Sequence, residues 1–177
     1  MNVKDLSLKE FAILISDYLS KNGIDTVLSG GACVSIYTEN KYISYDLDFV
    51  LLSSEDQKKV RRVLAEIGFY EEKRYFKHKD SEYFLDFVSP PLSVGSEPVK
   101  KITEIKKGNR TLKLLSVTDC VKDRLAAYYH WEDRQALEQA ILVCRDNKVD
   151  FKEVERWSKN EGMSDKYRMF KEYLKRD

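Results

Sequence analysis

At 177 residues, with 42% hydrophobic and 34% charged side chains, the chain is sized for one globular domain, or one with a helical extension; its 7 glycines and 3 prolines exclude long disordered linkers. A net charge of +1 excludes a global basic field for nucleic acid, though local basic clusters can still bind it. Cys33, Cys120 and Cys144 are widely spaced and form no CxxC pair, which argues against a zinc knuckle or a disulfide framework and for reduced thiols in a cytoplasmic protein.

Taken in chain order, Met1-Asn2-Val3-Lys4-Asp5 leads straight into an amphipathic pattern, so no signal peptide is expected, and no apolar run reaches membrane-spanning length. Ser7 with Glu10 three residues later forms a capping box. Phe11, Ile13, Leu14, Ile15, Tyr18 and Leu19 continue a helical face to about Lys21, and Asn22-Gly23 ends it. Thr26-Val27-Leu28 reads as a strand stopping at Ser29-Gly30-Gly31. Ala32 to Tyr37 reads as a short helix, and Tyr45 to Leu52 as a second strand. A helix follows from Ser54-Glu55-Asp56 to about Ile67, closed by Gly68. Phe69 to Lys77 is expected as one strand, turning at His78-Lys79-Asp80 into the strand Tyr83–Val88. Ser89-Pro90-Pro91 ends it. Ile102–Lys106 and Thr111–Leu115 pair around the turn Lys107-Gly108-Asn109-Arg110. The remainder is helical: one helix capped by Ser116 and running through Tyr129, a second opening at Asp133, and two shorter ones at about Asp150–Lys159 and Ser164–Lys175.

Three features carry chemistry. Paired glycines after a strand let a ligand approach the backbone, and the free amides of the following helix start attract phosphate oxygens. In Tyr45-Asp46-Leu47-Asp48-Phe49 the strand period puts Asp46 and Asp48 on one face, roughly 6–7 Å apart at the Cα atoms. Two carboxylates so placed repel unless a cation lies between them, and hard oxygen ligands suit Mg²⁺. D-x-D alone fits a solvated strand end equally. Asp86 interrupts the apolar run Tyr83-Phe84-Leu85-Asp86-Phe87-Val88, where an ionised carboxylate is costly unless paired or ligated. On a strand beside Asp46 and Asp48 it would complete a two-metal cluster.

Gly30-Gly31, then Asp46-x-Asp48, then Asp86 in a hydrophobic strand resembles the nucleotidyltransferase superfamily related to DNA polymerase β. Many members carry Gly-Ser at the glycine pair, so Ser29, Ser35 or backbone amides would substitute for that serine here. The segment Thr118 to Ala140 resembles the helical signature of small nucleotidyltransferases of defence loci, including abortive-infection and type IV toxin–antitoxin toxins. The order here is Asp133-Arg134 where those toxins carry Arg-Asp. The resemblance implies an α/β (α+β) fold: a mixed sheet with flanking helices over residues 1–115, then a helical bundle over 116–177. It further implies that Asp46, Asp48 and Asp86 hold two Mg²⁺ ions, that Ser29, Gly30, Gly31 and Ser35 cradle phosphates, that Lys122 contacts the triphosphate of an NTP such as ATP, and that Asp133 lies near the nucleotide or the attacking group.

The expected activity is transfer of a nucleoside monophosphate from an NTP to an acceptor. Six basic residues between Lys100 and Lys113 face one acid, Glu104, and favour RNA such as a tRNA end. Lys73, Arg74, Lys77 and Lys79 among Tyr70, Tyr75 and Phe76 suit single-stranded nucleic acid or an exposed hairpin. A toxin role would bring a cognate antitoxin as partner. The alternatives are a protein or small-molecule acceptor, a non-catalytic nucleotide- or protein-binding relative, and an α/β domain whose acids are merely solvated.

Overall fold

In the computed structural model, residues 2–54 and 56–176 are described. The first helix, α1 (Leu8–Lys21), starts at the expected capping box: the Ser7 Oγ accepts from the Glu10 N–H at 3.4 Å and the Glu10 carboxylate accepts from the Ser7 N–H at 3.1 Å. Strand β1 (Thr26–Ser29) leads directly into α2 (Gly30–Tyr37), and β2 (Asp46–Leu51) returns antiparallel to β1. The two glycines thus form the first turn of α2 instead of preceding it, because Gly30 turns the chain at a positive φ of 68° and the helix begins at once.

Helix α3 (Asp56–Ala65) follows; Glu55 of its expected start lies outside the described residues. The single strand expected over Phe69–Lys77 is a hairpin, β3 (Tyr70–Glu72) and β4 (Tyr75–Lys77), turning at Lys73-Arg74. Lys73 takes the left-handed conformation there (φ 59°) without a glycine to announce it. Then come β5 (Phe84–Val88), a two-stranded ribbon β6 (Ser93–Val94) and β7 (Glu97–Pro98) that the sequence pattern missed, and the hairpin β8 (Ile102–Lys107) and β9 (Arg110–Leu115).

The main sheet runs β3-β4-β5-β2-β1-β9-β8. It is mixed: β2 is parallel to β5 and antiparallel to β1, and β1 is parallel to β9. The chain ends in α4 (Val117–Trp131), α5 (Arg134–Asp146), α6 (Phe151–Asn160) and α7 (Ser164–Lys175), with α4 carried through His130 and Trp131. Ser116, Asp133 and Asp150 cap α4, α5 and α6 by accepting backbone N–H groups at 3.0–3.1 Å.

One hydrophobic cluster joins both halves. Leu47, Phe49 and Leu51 of β2, Leu112 and Leu114 of β9, Val121 and Leu125 of α4, and Trp157 of α6 belong to it. Because β2 alternates, burying Leu47 and Phe49 turns Asp46 and Asp48 to the other face. Cys33 and Cys120 are buried free thiols and Cys144 a half-buried one. Among the described residues no helix is long and apolar enough to cross a membrane.

Candidate active site

The β2–β5 register decides the geometry. In this parallel pair Asp48 lies opposite Asp86, and Asp46 opposite Phe84. Partners in register on adjacent strands share a face about 4.8 Å apart, so the sheet stacks Asp86 beside the Asp46-x-Asp48 pair. Burial first, then the charges of Asp46 and Asp86, push the Asp48 carboxyl from 3.8 up to about 6, with Arg124 opposing the rise. The like charges therefore crowd one spot.

Gly30 is fitted to that spot. A Cβ there would overlap the Asp48 carboxylate, and its positive φ disfavours any side chain besides. The start of α2 and the Asp48 oxygens are thereby in van der Waals reach. At Gly31 a Cβ would meet the Ser44 Oγ at 3.1 Å and the Tyr42 ring at 3.3 Å, so both glycines admit close neighbours.

The two serines proposed beside the glycines serve the chain itself. Ser29 donates to the Asp48 carbonyl at 3.2 Å. Ser35 is fully buried; it donates to the Gly31 carbonyl at 3.3 Å and accepts from the Ser44 N–H at 2.9 Å. Its hydroxyl fastens the loop before β2 to α2 and faces no open space, so Ser35 does not stand where a phosphate would reach it.

Ser44 was not foreseen. Its hydroxyl lies 2.7 Å from the Asp46 Oδ1 and 3.0 Å from the Asp46 carbonyl, which orients the first carboxylate. Near it, burial first, then Asp46 and Asp133, raise the Tyr42 hydroxyl above its usual range, with Arg124 opposing. The Asp133 carboxylate caps α5 through the Ala136 N–H at 3.0 Å, and its charge reaches Tyr42.

Among the cations of α4, Arg124 is the one whose charge acts on Asp48. Its guanidinium donates to Asp123 at 3.0 and 2.5 Å and to Gln139 at 3.4 Å. Burial alone would lower its pKa, but Asp123 outweighs burial and, with Asp48, holds Arg124 above its usual range. Lys122 sits two residues earlier, roughly 200° around the helix, and points elsewhere. It is buried (6% exposed), ion-paired to Asp119 at 2.9 Å and Glu153 at 3.2 Å, beside a cavity of about 390 Å³ between β7, α4 and α6. The structure does not join Lys122 to the three aspartates.

Asp86 is only 8% exposed and carries a partner of its own, the Nε of Arg74 at 3.1 Å from Oδ2. Among the described residues no three His, Cys, Asp or Glu side chains converge at metal-ligand spacing. The donor chemistry nevertheless fits a hard divalent cation: three carboxylates on one face, with Asp48 raised by burial and then by Asp46 and Asp86, is the arrangement a cation relieves.

The basic segment Lys100–Lys113 does not form one surface. Lys100 and Lys101 line the cavity beside Lys122. Lys107 pairs with Glu10 at 2.6 Å, Lys113 with Asp25 at 2.9 Å, Arg110 approaches Asp17 at 4.0 Å, and Lys106 approaches Glu104 at 3.8 Å. Acids of α1 and the loop before β1 thus face much of the charge that the sequence left unopposed.

No protein-family model matches the chain, and no curated protein matches it in sequence. Solved structures do. An antigenic nucleotidyltransferase-like protein from Paracoccidioides brasiliensis superposes with a TM-score of 0.59 at 13% identity, over 77% of this chain and 74% of that one. ANT(2″)-Ia, solved with adenylyl-2″-tobramycin, gives 0.51 at 14% identity over 81% and 92%. The lincosamide antibiotic adenylyltransferase LnuA, solved with lincomycin, gives 0.51 at 18% identity over 72% and 92%. The chain has the nucleotidyltransferase fold, with its three aspartates on adjacent strands of the sheet.

Proposed function

We propose that this protein transfers a nucleoside monophosphate from an NTP to an acceptor hydroxyl or phosphate. The observation that carries the reading is the register of Asp48 against Asp86, with Gly30 at the start of α2 in contact range of the Asp48 carboxylate. Asp46, Asp48 and Asp86 would hold Mg²⁺, which supplies charge neutralisation on the triphosphate and activation of the attacking oxygen. The amides at the start of α2 would receive phosphate oxygens. Ser44 would keep Asp46 oriented, and Arg124, held in place by Asp123, would offset negative charge that develops beside Asp48. The acceptor oxygen bonds to the α-phosphorus, the α–β anhydride bond breaks and pyrophosphate leaves; where the acceptor is a hydroxyl, its proton passes to Asp86. For that, Arg74 must leave Asp86. Asp133 would lie near the nucleotide. In this reading Lys122 supports the fold between α4 and α6, and Arg124 takes the place first given to it.

RNA, such as a tRNA end, is the acceptor we favour, which would suit a toxin or defence enzyme with a neutralising antitoxin. A second reading, transfer to a small-molecule hydroxyl, is supported by the fold's likeness to antibiotic adenylyltransferases.

The test incubates purified protein with Mg²⁺ and each α-³²P-labelled NTP, with bulk tRNA, with an aminoglycoside or lincosamide, and with no acceptor. The Asp46→Ala/Asp48→Ala protein runs alongside. Label is expected on RNA in wild type and on nothing in the double variant. Label on the antibiotic alone selects the second reading. Absence of metal-dependent nucleotide binding would overturn both.

A further inference from the structure

Beside Asp86 the surface opens into a groove of about 400 Å³ between α3 and the β3–β4 hairpin. Four cations line it, Lys58, Arg61, Lys73 and Arg74, against two acids, Glu71 and Asp86. Arg61 is paired with Glu71 at 2.6 Å and Arg74 with Asp86 at 3.1 Å. Among the described residues Lys58 and Lys73 have no ion-pair partner, so the groove keeps a net positive field that opens onto the carboxylate proposed to receive the acceptor's proton. The Lys100–Lys113 segment differs: acids within the fold face most of its charge, and its two hairpin strands, β9 and β8, lie beyond β1, at the far end of the sheet from β5.

We propose that this groove is the acceptor subsite and receives the phosphate backbone of a single-stranded RNA end, delivering its terminal oxygen to Asp86. The proposal rests on the transferase reading for the identity of the reacting oxygen, and on the groove alone for RNA binding. A strand fits better than a lone phosphate because the cations form a row. Lys58 and Arg61 stand at i and i+3 on exposed turns of α3, and Lys73 and Arg74 line the groove from the hairpin tip. Arg74 links binding to chemistry: a phosphate entering the groove competes with Asp86 for the guanidinium and frees the carboxylate.

The test measures anisotropy of a labelled single-stranded RNA with the full chain across a salt series. Lys58→Glu/Lys73→Glu is expected to weaken binding about tenfold or more and to flatten the salt slope by roughly 1.4, the loss of two phosphate contacts. Lys58→Arg/Lys73→Arg should bind as wild type, and circular dichroism should show all variants folded. Lys107→Glu/Lys113→Glu, on the other hairpin, should stay within about twofold, since their charge is already spent within the fold. Equal loss in both Glu variants, no loss in the groove variant, no RNA binding by wild type, or displacement of the RNA by a mononucleotide at equal concentration would each overturn the proposal. Mg²⁺–NTP binding, followed separately, keeps the two readings apart. Groove-dependent RNA binding without any transfer sinks only the transferase, and transfer that ignores the groove variants sinks only the groove.

Discussion

Asp48 is where the cost of the site concentrates. Its carboxyl is pushed from 3.8 up to about 6 by burial and by Asp46 and Asp86, so the folded chain holds a proton that the unfolded chain releases earlier. Stability contributed by that proton is full below about pH 4, falls as pH rises, and is gone above about pH 6. At neutral pH the ionised group therefore weakens the fold by up to about 3 kcal/mol, taking 1.36 kcal/mol for each pH unit. Asp48→Asn is expected to raise the urea midpoint at pH 7.5, with the gain vanishing near pH 4. Mg²⁺ should stabilise wild type at pH 7.5 and leave Asp48→Asn unchanged. A wild type more stable than Asp48→Asn at pH 7.5 without metal would contradict this account.

At the scale of elements, local chemistry determines where helices begin and side-chain contacts decide where they lie. The Ser7–Glu10 box closes two backbone donors at the head of α1, and Glu10 is drawn further toward its charged form, down to about 2, by hydrogen bonds from Lys107 and Ser7. Ser7→Ala is expected to cost about 1 kcal/mol, read as a lowered urea midpoint with unchanged slope. Caps of this kind were legible in the sequence because they involve residues three apart. The β3–β4 turn was not, since Lys73-Arg74 carries no turn residue and the hairpin is held by distant partners: the pairing of β4 with β5 and the Arg61–Glu71 ion pair to α3. That turn matters for the site because it sets Arg74 on Asp86. Arg124 was hidden for a related reason: residues 122 and 124 differ by roughly 200° around α4, and no sequence pattern says which of the two charges acts on Asp48.

For the molecule as a whole, the C-terminal helices and the sheet share one core. Trp157 of α6 is fully buried, stacks on Tyr129 of α4 with ring centroids 5.6 Å apart, and donates from its indole N–H to the Val94 carbonyl of β6 at 3.2 Å. It thereby joins three elements far apart in sequence, one of which also presents Arg124 to the carboxylates. Trp157→Ala is expected to cost about 3–5 kcal/mol, as large-to-small changes in packed cores do. Guanidinium unfolding followed by circular dichroism should show one early transition, with Mg²⁺–nucleotide binding lost in step. Helices that unfold separately while the sheet retains binding would show that the shared core does not support the site.

By itself the sequence determined the order and type of nearly all elements, the shared face of Asp46 and Asp48, and the resemblance to nucleotidyltransferases. These depend on strand and helix periods and on caps within a few residues. Tertiary structure alone decided that Asp86 stands in register with Asp48, that the charge of Arg124, and not that of Lys122, acts on Asp48, that Ser44 holds Asp46, and that Lys58 and Lys73 line a groove beside Asp86. All but the Ser44–Asp46 bond, which spans two residues, relate segments tens of residues apart through strand register and helix rotation in a common core, which local patterns do not encode.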